Sequence, residues 1–199
     1  MTIHPRLTAG AWIAAGAGWL AASLIGSAAT DGSTRFYIAE SIWLPTQALL
    51  LAGIIALAQQ RPHGTRRLGK AGFGIAAAGR VVFIAAELVS ITTGETADTI
   101  LPIGALLTAI GMTMAGAAVA REHRWHGWRR FAPLTMGLYP VVFMFPLAAT
   151  DAPVEPSIAL WALPTIAVGI AALPSQPTTS STTASHDQLG ETIRGSRGH

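Results

Sequence analysis

Cysteine is absent from the 199 residues of this chain, and charged residues make up only 12% of it. Without a thiol the chain forms no disulfide, performs no thiolate catalysis and offers no Cys-ligated metal site. Soluble domains average about 25% charged residues, so this chain does not have the composition of an ordinary soluble domain. Hydrophobic residues reach 51%, which places the chain in the membrane class.

Common catalytic motifs are absent as well. The chain contains neither G-x-S-x-G, which presents a serine nucleophile, nor H-E-x-x-H, which binds a catalytic zinc. His63 and His126, at equivalent positions of two basic loops, are candidate metal ligands, but nothing else nearby completes a site. We therefore predict no enzyme activity, no catalytic residue, no metal site and no cofactor. The net charge of +3 does not predict nucleic-acid binding, because the basic residues lie in separate short loops.

Six apolar runs account for most of the chain. Each is about 18–26 residues long, and a helix needs about 20 to cross a bilayer. They predict an all-α membrane protein with a six-transmembrane-helix bundle over residues 1–173. Residues 174–199 are rich in Ser, Thr, Gly and Pro and hold too few apolar side chains to offset the entropy of ordering, so we expect a disordered cytoplasmic tail. The predicted spans are 7–29, 39–58, 68–93, 99–120, 131–150 and 156–173.

The first run has a second interpretation. Residues 1–6 are like the basic start of a signal peptide, and Ser27-Ala28-Ala29 is like a small-residue cleavage site. The apolar region of a signal peptide is about 7–15 residues long, however, and this run is longer. Its length therefore favours a retained span.

Charge alternates from loop to loop, which predicts orientation. Lys/Arg-rich short loops remain in the cytoplasm, so we expect a multi-pass protein of the cell membrane with both termini cytoplasmic. Several tryptophans lie near predicted span ends, where interfacial aromatics are common. The acidic loops hold Asp31, Glu95, Asp98, Asp151 and Glu155, with Arg35 as their only base. The basic loops hold Lys70, Arg121 and six arginines that we expect to anchor anionic lipid head groups, at about 1 kcal/mol each: Arg61, Arg66, Arg67, Arg124, Arg129 and Arg130.

The chain also repeats short motifs. Residues 61–68 and 124–131 both read R-x-H-G-x-R-R-apolar, and L-P-x-x-A recurs at residues 44–48, 101–105 and 163–167. The two motif sets occur in the same order, which predicts three tandem helical hairpins about 60 residues apart. The alternative is that basic anchors and first-turn prolines recur wherever helices enter a membrane.

The third run is unusual because it carries two charged residues well inside it. Arg80 and Glu87 are seven residues apart and therefore share one face of a helix. Ionisable groups in hydrocarbon are costly, so they face a bundle interior and find partners there. Either a packing network or a ligand site fits this pattern. Counting residues along the runs places Gln47, Thr108 and Thr165 at the depth of Arg80, and Ser23 and Glu40 nearer Glu87.

The fifth run is divided by Pro133, Pro140 and Pro146. Interrupted helices line substrate sites in many transporters. A kinked helix that simply fits its neighbours is the alternative, since proline is common in transmembrane helices.

The last third of the chain resembles a known kind of protein. Residues 127–146 (GWRRFAPLTMGLYPVVFMFP) and the closing helix, residues 161–173, look like those of small, Ala/Gly-rich six-span proteins of high-GC bacteria with no assigned activity. The tandem hairpins share their layout with mitochondrial carriers, but the P-x-[DE]-x-x-[KR] signature is missing. We predict a non-enzymatic structural or accessory membrane protein whose partner is another membrane protein or a second copy. The alternative is a small transporter or ligand-binding protein with a polar site around Arg80 and Glu87.

Overall fold

A computed structural model of the chain describes residues 4–150 and 155–174. These residues form helices and connecting turns with no strand, which confirms the all-α prediction. The predicted tail lies outside the described residues from 175 onward, as does Asp151 of the last acidic loop. The helices are α1 (Pro5–Gly26), α2 (Thr34–Gln59), α3 (Arg67–Thr93), α4 (Leu101–Glu122), α5 (Ala132–Tyr139), α6 (Phe145–Ala148), α7 (Glu155–Leu160) and α8 (Ala162–Ala172).

Five helical runs are long and apolar enough to cross a membrane: α1 to α4, and the run Gly127–Leu147. The sixth, Pro156–Ala172, is apolar but shorter. The observed ends lie within a few residues of the predicted ones except at the start of α2. There Ser33 accepts a hydrogen bond from the Phe36 amide at 3.1 Å and caps the helix five residues before the predicted start, because a capping hydroxyl outweighs the polarity of the first turn.

Proline interrupts the fifth and sixth runs. The fifth begins with a 3-10 turn (Gly127–Phe131), and a π-helical segment (Pro140–Met144) separates α5 from α6. Pro140 has no N–H to donate to the carbonyl four residues earlier, so the regular helical ladder cannot continue through it. Trp161 forms the turn between α7 and α8, three residues before Pro164.

The helices close into a ring. Each of the first four runs packs against the next in sequence, α5 packs against α8, and α8 returns to α1. Packing is most extensive between α3 and α4 and between α1 and α2, the first two predicted hairpins. The third pair, α5 and α8, meets less extensively than either helix meets its other neighbour. In addition, Pro45 lies inside α2 whereas Pro102 lies in the first turn of α4, so the L-P-x-x-A motifs do not occupy equivalent places.

Small residues bring α3 and α4 together. A Cβ atom added to Gly72 would lie 2.5 Å from the Ala115 amide nitrogen and 2.7 Å from the Gly111 carbonyl oxygen, both on α4. Backbone atoms cannot move aside as flexible side chains do, so this contact requires glycine. Close approach of this kind supplies van der Waals packing where no hydrophobic force acts between helices in lipid.

We expect Gly72→Ala to destabilise the protein by about 1–3 kcal/mol, because overpacking forces α3 and α4 apart. Gly74 is the matched control in the same helix, since an added Cβ there meets nothing within 4 Å. Gly74→Ala should be neutral or stabilising by about 1 kcal/mol, as alanine is the better helix former. The measurement is the free energy of unfolding in detergent. Equal effects at the two positions would show that α3 and α4 do not pack at this seam.

Candidate functional site

Arg80 lies at the centre of the ring with 0% of its surface exposed. Its Nη1 donates a hydrogen bond to Gln47 Oε1 of α2 at 2.7 Å. The guanidinium carbon also lies 5.6 Å, 4.8 Å and 5.0 Å from the ring centroids of Trp19, Phe83 and Trp161. These distances are within the range of cation–π attraction, which strengthens when the cation is removed from water. We call these three rings the aromatic cage.

Two hydrogen bonds fix the tryptophans of the cage. Trp19 Nε1 donates to the Ile158 carbonyl at 2.7 Å, and Trp161 Nε1 donates to the Met136 carbonyl at 3.2 Å. Met136 is the residue four positions before Pro140, whose missing N–H leaves that carbonyl without its usual helical donor. The indole of Trp161 therefore replaces a backbone hydrogen bond. Through these contacts α1, α2, α3, α5 and the α7–α8 region all converge on one guanidinium.

Gln47 also connects Arg80 to the carboxyl groups. The Glu87 carboxyl lies close to the side chains of both Gln47 and Glu40. α2 and α3 run antiparallel. Seven residues separate Glu40 from Gln47, and seven separate Arg80 from Glu87. Gln47 therefore faces Arg80, and Glu40 faces Glu87 about two helical turns away. Within the described residues no carboxylate lies within 4 Å of Arg80. Gln47 therefore lies between Arg80 and Glu87, in the position of the intermediary that their seven-residue spacing requires.

Thr108 and Thr165 are buried as well, but their hydroxyls bond within their own helices. Thr108 Oγ1 donates to the Gly104 carbonyl and Thr165 Oγ1 to the Trp161 carbonyl, both at 2.9 Å. Nε and Nη2 of Arg80 and Oε2 of Glu40 are buried without a hydrogen-bond partner among the described residues. The polar core thus consists of Arg80, Gln47, Glu87 and Glu40. Some of its donors and acceptors have no hydrogen-bond partner among the described residues.

The aromatic cage is the part of the site that sequence reasoning missed. The sequence predicts interfacial positions for several tryptophans near span ends, but Trp12, Trp19 and Trp161 are all buried in the core. Hydropathy does not indicate which tryptophans face inward, and Trp19 lies near the middle of the predicted span 7–29. The available signal was the presence of a cation in the same bundle, because indole faces are the preferred partners of a buried guanidinium.

The two copies of the basic motif meet at one end of the bundle. Arg124 Nη1 donates to the Arg61 carbonyl at 3.4 Å, and these residues occupy equivalent motif positions. Arg66 forms an ion pair with Glu122 at 2.9 Å, and Arg130 Nη1 lies 3.0 Å from His123 Nδ1. We call this the basic end, comprising Arg61, Arg66, Arg67, Arg124, Arg129 and Arg130.

His63 is buried within the basic end. Its ring packs on Phe73 at 5.4 Å between centroids, and neither ring nitrogen has a hydrogen-bond partner among the described residues. Burial lowers the pKa of His63 below its ordinary value of 6.5, and the nearby charges of Lys70, Arg124 and Arg61 lower it further against an opposing effect of Glu122. The neutral imidazole is therefore the form that fits the folded protein.

This environment predicts a loss of stability in mild acid. Below about pH 6.5 the unfolded chain takes up a proton at His63 more readily than the folded protein does, so stability falls as pH decreases through this value. We expect His63→Gln to flatten the dependence of unfolding free energy on pH between about 7 and 5. His126→Gln, at the equivalent but exposed position of the second motif, should retain the wild-type slope. Identical slopes in both variants would contradict this role for His63.

Comparisons with known proteins identify no relative: no family model, curated protein or solved structure matches the chain. Function must therefore be argued from the polar core, the basic end and the surface between them.

Proposed function

We propose that this chain is a multi-pass integral protein of the cell membrane that crosses the bilayer six times. One observation carries the proposal: the bundle encloses a polar core and exposes large apolar side chains. Arg80, Gln47 and Glu87 are buried, whereas Val81 of α3 and Leu163 of α8 are 54% and 62% exposed. An exposed apolar surface around a buried polar core suits hydrocarbon surroundings, in which charged groups turn inward.

The first and last helices fit this proposal in different ways. α1 contributes Trp12 and Trp19 to the core, which supports a retained span over a cleaved signal peptide. The sixth span, Pro156–Ala172, is at the short end of the about 17–25 residues that span a bilayer. A short span is accommodated by local thinning of the membrane or by its neighbours. The closing contact of α8 with α1 supplies such neighbours.

In this proposal the basic end faces the cytoplasm, with both termini on that side. Its arginines anchor the protein at anionic lipid head groups. Arg61, Arg67 and Arg124 are exposed and can do so directly. Arg66 and Arg130 also support the fold through Glu122 and His123.

The topology is tested by single cysteines, which are unambiguous because the chain has none of its own. Thr65→Cys and His126→Cys should be protected from an impermeant thiol reagent added outside cells, while Ala28→Cys and Glu95→Cys should react; all four positions are exposed. After membranes are opened, all four should react equally. Reaction of the His126 variant in intact cells would reverse the proposed orientation.

For its role, we propose a non-enzymatic structural or accessory protein that acts with another membrane protein or a second copy of itself. The sealing of Arg80 supports this: the guanidinium is fully buried, bound to Gln47 and enclosed by the aromatic cage. Polar groups arranged in this way hold helices together instead of presenting a surface to a ligand.

A small transporter with a polar site remains the second candidate, and two observations favour it. Two nitrogens of Arg80 lack hydrogen-bond partners within the described part of the chain, and the π-helical segment breaks the fifth run, as at many functional sites. The cysteine experiment separates the two roles with one more variant, Ala86→Cys, on the buried face of α3 between Phe83 and Glu87. A small permeant thiol reagent should leave it unmodified if the core is sealed. Rapid modification would favour the transporter.

A further inference from the structure

A pocket lies at the basic end where the first and last helices meet. It has a volume of about 420 Å³ and is lined by Arg6, Arg129, Leu173 and Pro174. These residues come from the start of α1, the 3-10 turn before α5 and the end of α8. Three separate parts of the chain therefore build one concavity.

The pocket is strongly positive. Among the described residues that line it, two carry guanidinium groups and none carries a carboxylate. Arg129 is held in place because its Nη1 donates to the Leu173 carbonyl at 2.8 Å. Arginine presents a planar fork of donors that matches the oxygens of a phosphate. The chemistry of the lining thus selects a phosphate-bearing anion.

Apolar residues share the pocket with the arginines, since Leu173 and Pro174 complete the described lining. Leu7 and Trp128, which adjoin Arg6 and Arg129 in the sequence, are 69% and 54% exposed. Leu173 itself lines the pocket and is partly exposed. A free phosphate would bind only the arginines, whereas an amphipathic molecule contacts the arginines and the apolar side chains at once.

We propose that this pocket binds the phosphate of an anionic glycerophospholipid, with Arg6 and Arg129 on the head group and the acyl chains along the apolar surface beside them. The inference rests on the proposed membrane location and adds one discrete lipid-binding site to it. It differs from general attraction to the basic end, because Arg6 lies outside the set of arginines named there.

Arg6 is the residue to vary. Arg129 also satisfies the end of α8, so its loss would affect the fold, whereas no hydrogen bond from the Arg6 guanidinium is found within residues 4–150 and 155–174. Arg121 provides the matched control: it is an exposed arginine at the end of α4, on the same side of the bundle and away from the pocket. Arg6→Gln and Arg121→Gln change the net charge equally.

The experiment measures retention of phosphatidylglycerol by the full-length protein in detergent, using native mass spectrometry. One phosphatidylglycerol should bind the wild type more tightly than phosphatidylcholine does. Arg6→Gln should weaken that binding by about tenfold, as expected for the loss of charge-assisted hydrogen bonds, and Arg6→Lys by less. Arg121→Gln should bind as the wild type does, and inorganic phosphate alone should not displace the lipid.

Three results would overturn the proposal. Equal loss in the Arg6 and Arg121 variants would show diffuse attraction without a site. Displacement of the lipid by inorganic phosphate would show a site for the free anion. Unchanged binding in Arg6→Gln would place the lipid elsewhere. None of these alters the cysteine-labelling pattern, so failure here is distinguishable from failure of the proposed membrane topology.

Discussion

Arg80→Leu is expected to destabilise the protein by about 3–5 kcal/mol, the cost of removing one partner from a buried charge network. The substitution leaves Gln47 Oε1 without its donor and removes the cation from the aromatic cage. It also removes the positive charge from a core that holds the Glu40 and Glu87 carboxyls, and breaking a buried polar network by removing one member is costly.

The effect of Arg80→Leu is measured as the free energy of unfolding in mixed micelles. Arg121→Leu is the control, because it removes the same charge from an exposed position and should change stability by less than about 0.5 kcal/mol. A near-neutral Arg80→Leu would show that the guanidinium is not sealed in the bundle.

Trp161→Ala is expected to cost about 3–5 kcal/mol, the range for truncating a large buried aromatic side chain. The indole is 1% exposed, contacts Trp19 edge to face at 4.7 Å and covers Arg80. It also donates a hydrogen bond to the Met136 carbonyl, which Pro140 cannot do because it has no N–H. Its removal therefore opens a cavity, removes one of the three rings of the aromatic cage and leaves a buried carbonyl without a hydrogen bond.

Two further variants separate these contributions. Trp161→Phe keeps a ring against Arg80 but loses the N–H, so it should recover much of the loss while leaving the cost of the missing hydrogen bond, about 1–3 kcal/mol. Trp128→Ala, at an exposed tryptophan of the basic end, should be close to neutral. A tolerated Trp161→Ala would contradict the convergence of α5 and α8 on Arg80.

Counting along the helices predicted part of the polar core. Residues seven apart lie on the same helix face, and matching depths placed Gln47 at the level of Arg80 and Glu40 nearer Glu87. The structure brings these residues together. The same counting placed Thr108 and Thr165 at the depth of Arg80, where they are buried but hydrogen-bonded within their own helices. Depth does not predict whether a hydroxyl turns toward a neighbour or back to its own backbone.

The closed arrangement of the helices could not be predicted from the sequence. Hydropathy identifies which segments are helical, but the neighbours of each helix depend on shape, such as the close approach that Gly72 permits. The contact of α8 with α1 joins opposite ends of the chain and leaves no periodic signal in either. For the same reason the sequence did not identify Trp19 and Trp161 as core residues, because a tryptophan that turns inward is indistinguishable in sequence from one that faces outward.

The central claim is that Arg80 and Glu87 are coupled through Gln47 in a sealed polar core, and a double-mutant cycle tests it most directly. Unfolding free energies are compared for wild type, Arg80→Leu, Glu87→Leu and the double variant. The double variant should be less destabilised than the sum of the single variants by more than about 0.5 kcal/mol, and in a Gln47→Leu background this difference should shrink toward zero. Additive single effects in the wild-type background, or coupling that is unchanged without Gln47, would contradict the claim.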